Sequence, residues 1–159
     1  MPKLLNIIIH PNDKILRKVS VAVDRNKINF EEFKVLCKDM TLTMEKKDGV
    51  GLAAPQIGKN IRLIVVASKD GPICMINPVL KNKSLFKEWG VEGCLSVPNK
   101  TGEVKRHRKL VCDFIDIDSN KKTIKAKGLM ARIFQHEVDH LNGVLFIDKA
   151  RNIKDLRIF

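Results

Sequence analysis

Tyrosine is absent from this chain, tryptophan occurs once and phenylalanine seven times. So thin an aromatic complement argues against a protein that binds single-stranded nucleic acid by stacking bases on rings. No apolar run comes near the roughly 20 residues that a spanning helix needs, which argues against a membrane protein. The opening Met1-Pro2-Lys3-Leu4-Leu5-Asn6 turns polar too soon for a secretory signal. It also lacks the Arg- and Ser-rich character of an organelle transit segment. Internal repeats, low-complexity tracts and a linker that could split the chain are missing as well. The expectation is one domain over residues 1–159, working in the cytoplasm and long enough to bury a core.

Positive charge is what the chain has in excess, a formal +12. The basic residues are spread out, and the densest cluster is Lys105-Arg106-His107-Arg108-Lys109. A solvated basic surface with non-specific attraction to polyanions fits this better than a module that reads nucleic-acid sequence. The four cysteines are Cys37, Cys74, Cys94 and Cys112. A cytosolic chain of this size needs no disulfides, so free thiols are expected. Cys37 falls on the apolar stripe of a predicted helix, and Cys74 and Cys112 fall in strand-like runs. Buried thiols at such places act as small hydrophobes. Cys94 differs, because Glu92, Gly93 and Ser96 place it in a polar turn.

The spacing of Phe33, Leu36, Cys37, Met40 and Met44 predicts a helix from residue 30 to about 47. Asn29 is its expected cap, with Glu32 reaching back. A loop with two glycines spans 49–58. Branched residues then predict strands at 61–67 and 74–80, with a short run near Leu85. Two more, 110–117 and 122–126, flank the turn Asp118-Ser119-Asn120-Lys121. A second helix is predicted over about 129–141, ended by Asn142-Gly143. Residues 144–147 read as a short strand or buried edge. Strands mostly in succession, with helices at either end, argue an α+β fold with a mainly antiparallel sheet.

His136-Glu137-Val138-Asp139-His140 is the most informative segment. Residues four apart share a helix face, so both imidazoles can reach one metal ion. Glu137 can then handle a proton of a bound water. A catalytic site of this kind takes a third protein ligand. One protease group supplies a His six residues after the second, where this chain has Phe146. Others use a downstream Glu, and none follows Glu137. The search therefore moves upstream, to His10, His107, the cysteines and the carboxylates. His10 precedes Pro11 in a turn, where a solvated or capping role is expected. His107 sits among cations that would repel a metal. Cys94 is the best placed, because Gly93 beside it lets the backbone approach closely. A Cys-His-His set suits Zn²⁺, and thiolate with imidazole also suits Fe²⁺.

Three segments together resemble the motifs of the peptide deformylases. They are Gly49-Val50-Gly51-Leu52-Ala53-Ala54-Pro55-Gln56, Glu92-Gly93-Cys94-Leu95-Ser96 and Gln135-His136-Glu137-Val138-Asp139-His140-Leu141. The resemblance implies a hydrolase that removes the formyl group from the N-terminal formyl-methionine of newly made proteins. Formate would be released by attack of metal-bound water or hydroxide. Cys94, His136 and His140 would hold the metal, expected to be Fe²⁺ in the cell, with Ni²⁺, Co²⁺ or Zn²⁺ acceptable. Glu137 would be general base and acid, while Gln56 and the Leu95 N–H would face the developing oxyanion. Gly49, Gly51 and Gly93 would let an extended peptide pair with enzyme backbone, with Glu92 also counted at the substrate site. The methionine pocket maps onto Val50, Leu129 and Ile133, over the ring of His136. Periodicity alone would place Leu129 and Ile133 in the core instead. Asp139 is expected to make a structural salt bridge or hydrogen bond. The sheet would pack around a central helix carrying the third motif. The partners would be the nascent formyl-methionyl chain and, weakly and electrostatically, the ribosome. Trp89-Gly90-Val91 and Thr101 depart from the common family pattern at the substrate rim.

Overall fold

The computed structural model describes residues 1–12 and 14–156. An N-terminal strap leads into helix α1 (Phe30–Lys46). Asn29 caps α1 by accepting from the N–H groups of Glu31 and Glu32, at 3.2 and 3.4 Å. Glu32 returns a bond to the Asn29 side-chain amide at 3.0 Å, not to its backbone. Cys37, Met40 and Met44 form the buried stripe that periodicity predicts.

Among the described residues, eight strands follow in two antiparallel sheets. The larger sheet has the order β1-β2-β3-β6-β7. Its strands are β1 (Gly51–Ala53), β2 (Leu63–Val66), β3 (Ile73–Lys81), β6 (Lys109–Ile115) and β7 (Lys121–Lys127). The smaller sheet comprises β4 (Lys87–Cys94), β5 (Val97–His107) and β8 (Arg151–Asp155), in that order. Strands pair antiparallel throughout, and one isolated parallel bridge joins Val21 to Ile61. The α+β, antiparallel expectation therefore holds, divided over two sheets.

Helix α2 (Leu129–Leu141) carries the His-Glu-x-x-His segment. It packs on β1, β2, β3, β6 and β7 of the larger sheet and on β5 of the smaller. Buried Ala131, Phe134, Val138 and Leu141 anchor it. Gly143, at φ 72°, turns the chain away from the helix. Residues 144–147 are not a strand. They lead into a 3-10 turn, Phe146–Asp148, with Leu145 and Phe146 buried. The Asp148 carboxylate fixes that turn by accepting from the Leu145 N–H at 2.9 Å and from Arg17.

β1, β4, β5 and β8 escape a period-based reading. β4 and β5 contain Gly90, Gly93, Gly102 and Pro98, residues that weaken a strand signal. β8 is exposed along its length, so no apolar alternation marks it. Among the described residues, no helix is long and apolar enough to cross a membrane.

The expectation of free thiols fails at two positions. Cys37 on α1 and Cys74 on β3 form a disulfide, with Cα atoms 6.2 Å apart. The pairing is a tertiary fact, since the two cysteines are 37 residues apart in sequence and meet only when α1 lies against the sheet. Closing a loop of this length removes unfolded-state entropy worth about 4 kcal/mol. Cys94 and Cys112 are free. Burial pushes the Cys112 thiol up to about 12. Iodoacetamide should therefore leave Cys112 of the folded protein untouched at pH 8. Intact mass should count two labels after denaturation without reductant and four with it.

Candidate metal centre

The Cys94 Sγ and one ring nitrogen each of His136 and His140 lie within 4.8 Å of one another. Cys94 Sγ is 3.3 Å from His140 Nε2. A tetrahedral ion with ordinary Zn–S and Zn–N bond lengths would place such ligand atoms roughly 3.3–3.6 Å apart. Helix α2 supplies both imidazoles from one face, and the end of β4 delivers the thiol to them. His140 is 1% exposed, and the ring of Phe146 stacks on His136 at 6.2 Å between centroids. The residue that stands in place of a third histidine thus walls the site with a ring.

His136 is aimed by a carboxylate. Its Nδ1 donates to Glu92 Oε1 at 2.8 Å, which leaves Nε2 for an ion. Glu92 also accepts from Arg106 Nε (2.9 Å), Arg106 Nη2 (2.8 Å) and Arg132 Nη1 (2.7 Å). Arg106 in turn donates to Asp139 at 2.5 Å, and Lys149 donates to Asp139 as well, so Asp139 is the ion-pair partner expected of it. Burial opposes the charge on Glu92. The hydrogen bonds and charges of Arg106 and His136 outweigh it and hold the carboxyl far below its usual 4.5.

The cluster Lys105–Lys109 is therefore not uniformly solvated. Arg106 is 3% exposed and turns inward between outward neighbours. Alternation along β5, with Val104 and Arg106 buried and Glu103 and Lys105 more exposed, was the signal that could have found it. Arg132 was missed too, because helical periodicity gives no reason to treat a lone arginine as part of a site. Gly90 makes room for it: a Cβ there would lie 2.7 Å from Arg132 Cζ.

The other electrostatics centre on two buried groups. Burial raises the Glu137 carboxyl to about 7, with Glu92 adding repulsion and His136 and Arg106 working against it. Burial, helped by His136 and Arg106, drives His140 well below its usual 6.5, so that it is neutral. Burial also opposes charge on His136, but Cys94, Glu92 and Glu137 lift it to about 10. Glu137 Oε2 and His140 Nδ1 are buried with no hydrogen-bond partner. The donor set, its spacing and this anionic surrounding fit a divalent ion.

A cleft of about 870 Å³ runs past the centre. All the catalytic and substrate residues expected from the sequence line it, with Cys94 and His136, while His140 stays behind. Gln56 is 2% exposed. Its Oε1 accepts from the Ala53 N–H at 2.9 Å, so Nε2 turns toward Ser96 Oγ (3.1 Å) and Cys94 Sγ (3.5 Å). Leu95 sits at the turn between β4 and β5. Gly51 lies against Glu137, and a Cβ there would run into the carboxylate. Val50 and Leu129 are exposed at 52% and 68%, whereas Ile133 is 7% exposed. Leu129 is thus at the cleft and not in the core that its spacing suggests. His10 and His107 are not part of the centre. The His10 N–H donates to Ser96 O at 2.8 Å, and His107 Nδ1 donates to Ser84 O at 2.6 Å.

Substituting Glu92→Gln should weaken metal binding about 10–100-fold, read by competitive metal titration. Because the folded-state pKa of Glu92 lies below the unfolded value of about 4.5, its stabilisation is complete above that pH. It is lost as pH falls through the folded value.

The family model for polypeptide deformylase matches residues 5–156. A peptide deformylase of Dictyoglomus thermophilum is 47% identical over 138 residues, covering 87% of this chain and 88% of that protein. Among solved structures, a Met-Ala-Ser-bound class I type b peptide deformylase from Acinetobacter baumannii superposes with a TM-score of 0.88 at 34% identity. It covers 94% of this chain and 99% of that one. A Synechococcus elongatus peptide deformylase in complex with actinonin gives a TM-score of 0.86 at 37% identity, covering 93% and 79%. With matches along nearly its whole length, the chain belongs to the peptide deformylase family, enzymes that remove the N-terminal formyl group from nascent peptides.

Proposed function

We propose that the cleft beside Cys94, His136 and His140 is where this chain removes the formyl group. The observation that carries this reading is the unpartnered Oε2 of Glu137, buried at the cleft that Cys94 and His136 also line. Cys94, His136 and His140 would hold one divalent ion. When bound, the ion acidifies water and draws charge from the formyl carbonyl. Glu137 takes a proton from the attacking water and returns it to the departing amine, giving formate and a free N-terminus. Its raised pKa suits both halves of that task. Gln56 Nε2 and the Leu95 N–H donate to the oxygen on which charge grows. Because Gln56 is neutral and pinned through Oε1, it donates without competing as a ligand.

The substrate would enter as an extended chain along the backbone of Gly51 and Gly93. Its methionine side chain would lie on Val50, Leu129 and Ile133, beside Glu92 and the ring of His136. A Met-Ala-Ser ligand on the Acinetobacter baumannii relative supports this use of the cleft. Helix α2, touching strands of both sheets, would be the central helix on which one domain, residues 1–159, is organised. Fe²⁺ is the ion we infer for the cell, by family resemblance, with Ni²⁺, Co²⁺ or Zn²⁺ able to replace it. The cytoplasm, where formyl-methionyl chains emerge, is the matching location. The basic surface would favour weak electrostatic contact with the ribosome.

Iron-loaded protein should release formate from formyl-Met-Ala-Ser without internal cleavage, and faster than zinc-loaded protein. Cleavage of unformylated peptides with no formate would instead mark a protease. Glu137→Gln should keep the metal by elemental analysis yet lose about 10²–10⁴ in kcat. Gly51→Ala, which displaces Glu137, should lower kcat about tenfold or more in the same assay, with the metal content unchanged.

A further inference from the structure

A second cavity, of about 360 Å³, opens beside Asp139 on another face of α2. It plays no part in the chemistry above. Arg62, Lys83, Lys87, Lys105, Arg106 and Lys149 line it, against one carboxylate, Asp139. That carboxylate is already engaged by Arg106 at 2.5 Å and Lys149 at 2.9 Å. Among the described residues, no carboxylate pairs with Lys83, Lys87 or Lys105. Lys105 lies over the Trp89 ring at 5.9 Å, a contact that leaves its N–H groups available. Asn142 accepts from Arg62 at 3.1 Å through Oδ1, so its amide N–H groups are left to donate.

Cations gathered around one concave space repel one another unless an anion joins them. Elsewhere on the surface the lysines have other arrangements. Along β7, an edge strand, Lys121, Lys122, Lys125 and Lys127 guard against strand pairing. Lys83, Lys87 and Lys105 come instead from a loop and two strands and meet at one cavity. A single carboxylate ligand would satisfy few of these donors, whereas a phosphoryl group offers more acceptor oxygens and more charge. We propose that this cavity is a binding site for phosphoryl anions. Two sources share that chemistry: a free polyphosphate and the phosphodiester backbone of RNA. Arg106 and Asp139 connect the cavity to the Glu92 network, but the proposal does not rest on the deformylation reading, and its failure would leave that reading untouched.

The test is calorimetric titration of the nickel-loaded holoenzyme at constant ionic strength, with metal content checked afterwards. The probes are inorganic pyrophosphate and a ten-nucleotide RNA. Lys83→Ala/Lys87→Ala should weaken pyrophosphate binding about tenfold or more. Lys121→Ala/Lys125→Ala, which removes the same charge from β7, should bind as the unmodified protein does. Formate release at the unmodified rate certifies that each variant is folded. Lys105→Gln repeats the test from another strand should the pair not fold. RNA affinity falling with pyrophosphate affinity identifies the backbone as the occupant. RNA affinity unchanged while pyrophosphate is lost identifies the free anion. Equal losses in both double variants would reduce the effect to diffuse surface charge and overturn the site. So would the absence of pyrophosphate binding at millimolar concentration.

Discussion

Taking a carboxylate out of water is expensive unless its lone pairs and its charge are both met. Glu92 is 7% exposed and accepts four hydrogen bonds from Arg106, Arg132 and His136. The donors come from β5 and from two successive turns of α2. The carboxylate therefore fixes the hairpin of β4 and β5 against the helix. It also sets the proton of His136 on Nδ1. A small residue makes the arrangement possible, since Gly90 leaves the space that Arg132 fills.

The same constraint explains the character of the centre. With His136 oriented, Cys94 arrives at the end of β4, two residues after Glu92, and faces both imidazoles. Glu137 is buried against Gly51, so β1 presses a carboxylate toward the cleft. Anionic groups then surround a small space whose other wall is Phe146. The unpartnered Glu137 Oε2 lies at that space, where the proposed reaction would use it. Function here follows from which groups the fold leaves unsatisfied as much as from which it satisfies.

Much of this was legible in local pattern. Both α-helices follow from periodicity and capping, and the turn between β6 and β7 follows from Asp118-Ser119-Asn120. The three motif segments name the residues that converge. The failures are also instructive. Charge clustering alone puts Arg106 among solvated neighbours, although strand alternation turns every second side chain inward. Local pattern leaves Cys37 and Cys74 as separate thiols, since their approach depends on how α1 lies on the sheet. Residues 144–147 look like a strand because they are apolar, yet Gly143 and Asp148 coil them into a 3-10 turn.

By itself the sequence determined the chemistry at hand: two imidazoles one helical turn apart, a glutamate between them, a glycine-flanked thiol and a loop glutamine. Spacing along a helix is a local property, so it survives without knowledge of the fold. Only the tertiary structure decided that Cys94 meets His136 and His140, that Arg106 and Arg132 hold Glu92, and that Leu129 faces a cleft. Those contacts join segments 14 to 46 residues apart, and their geometry is fixed by strand register and helix packing, which no local pattern records.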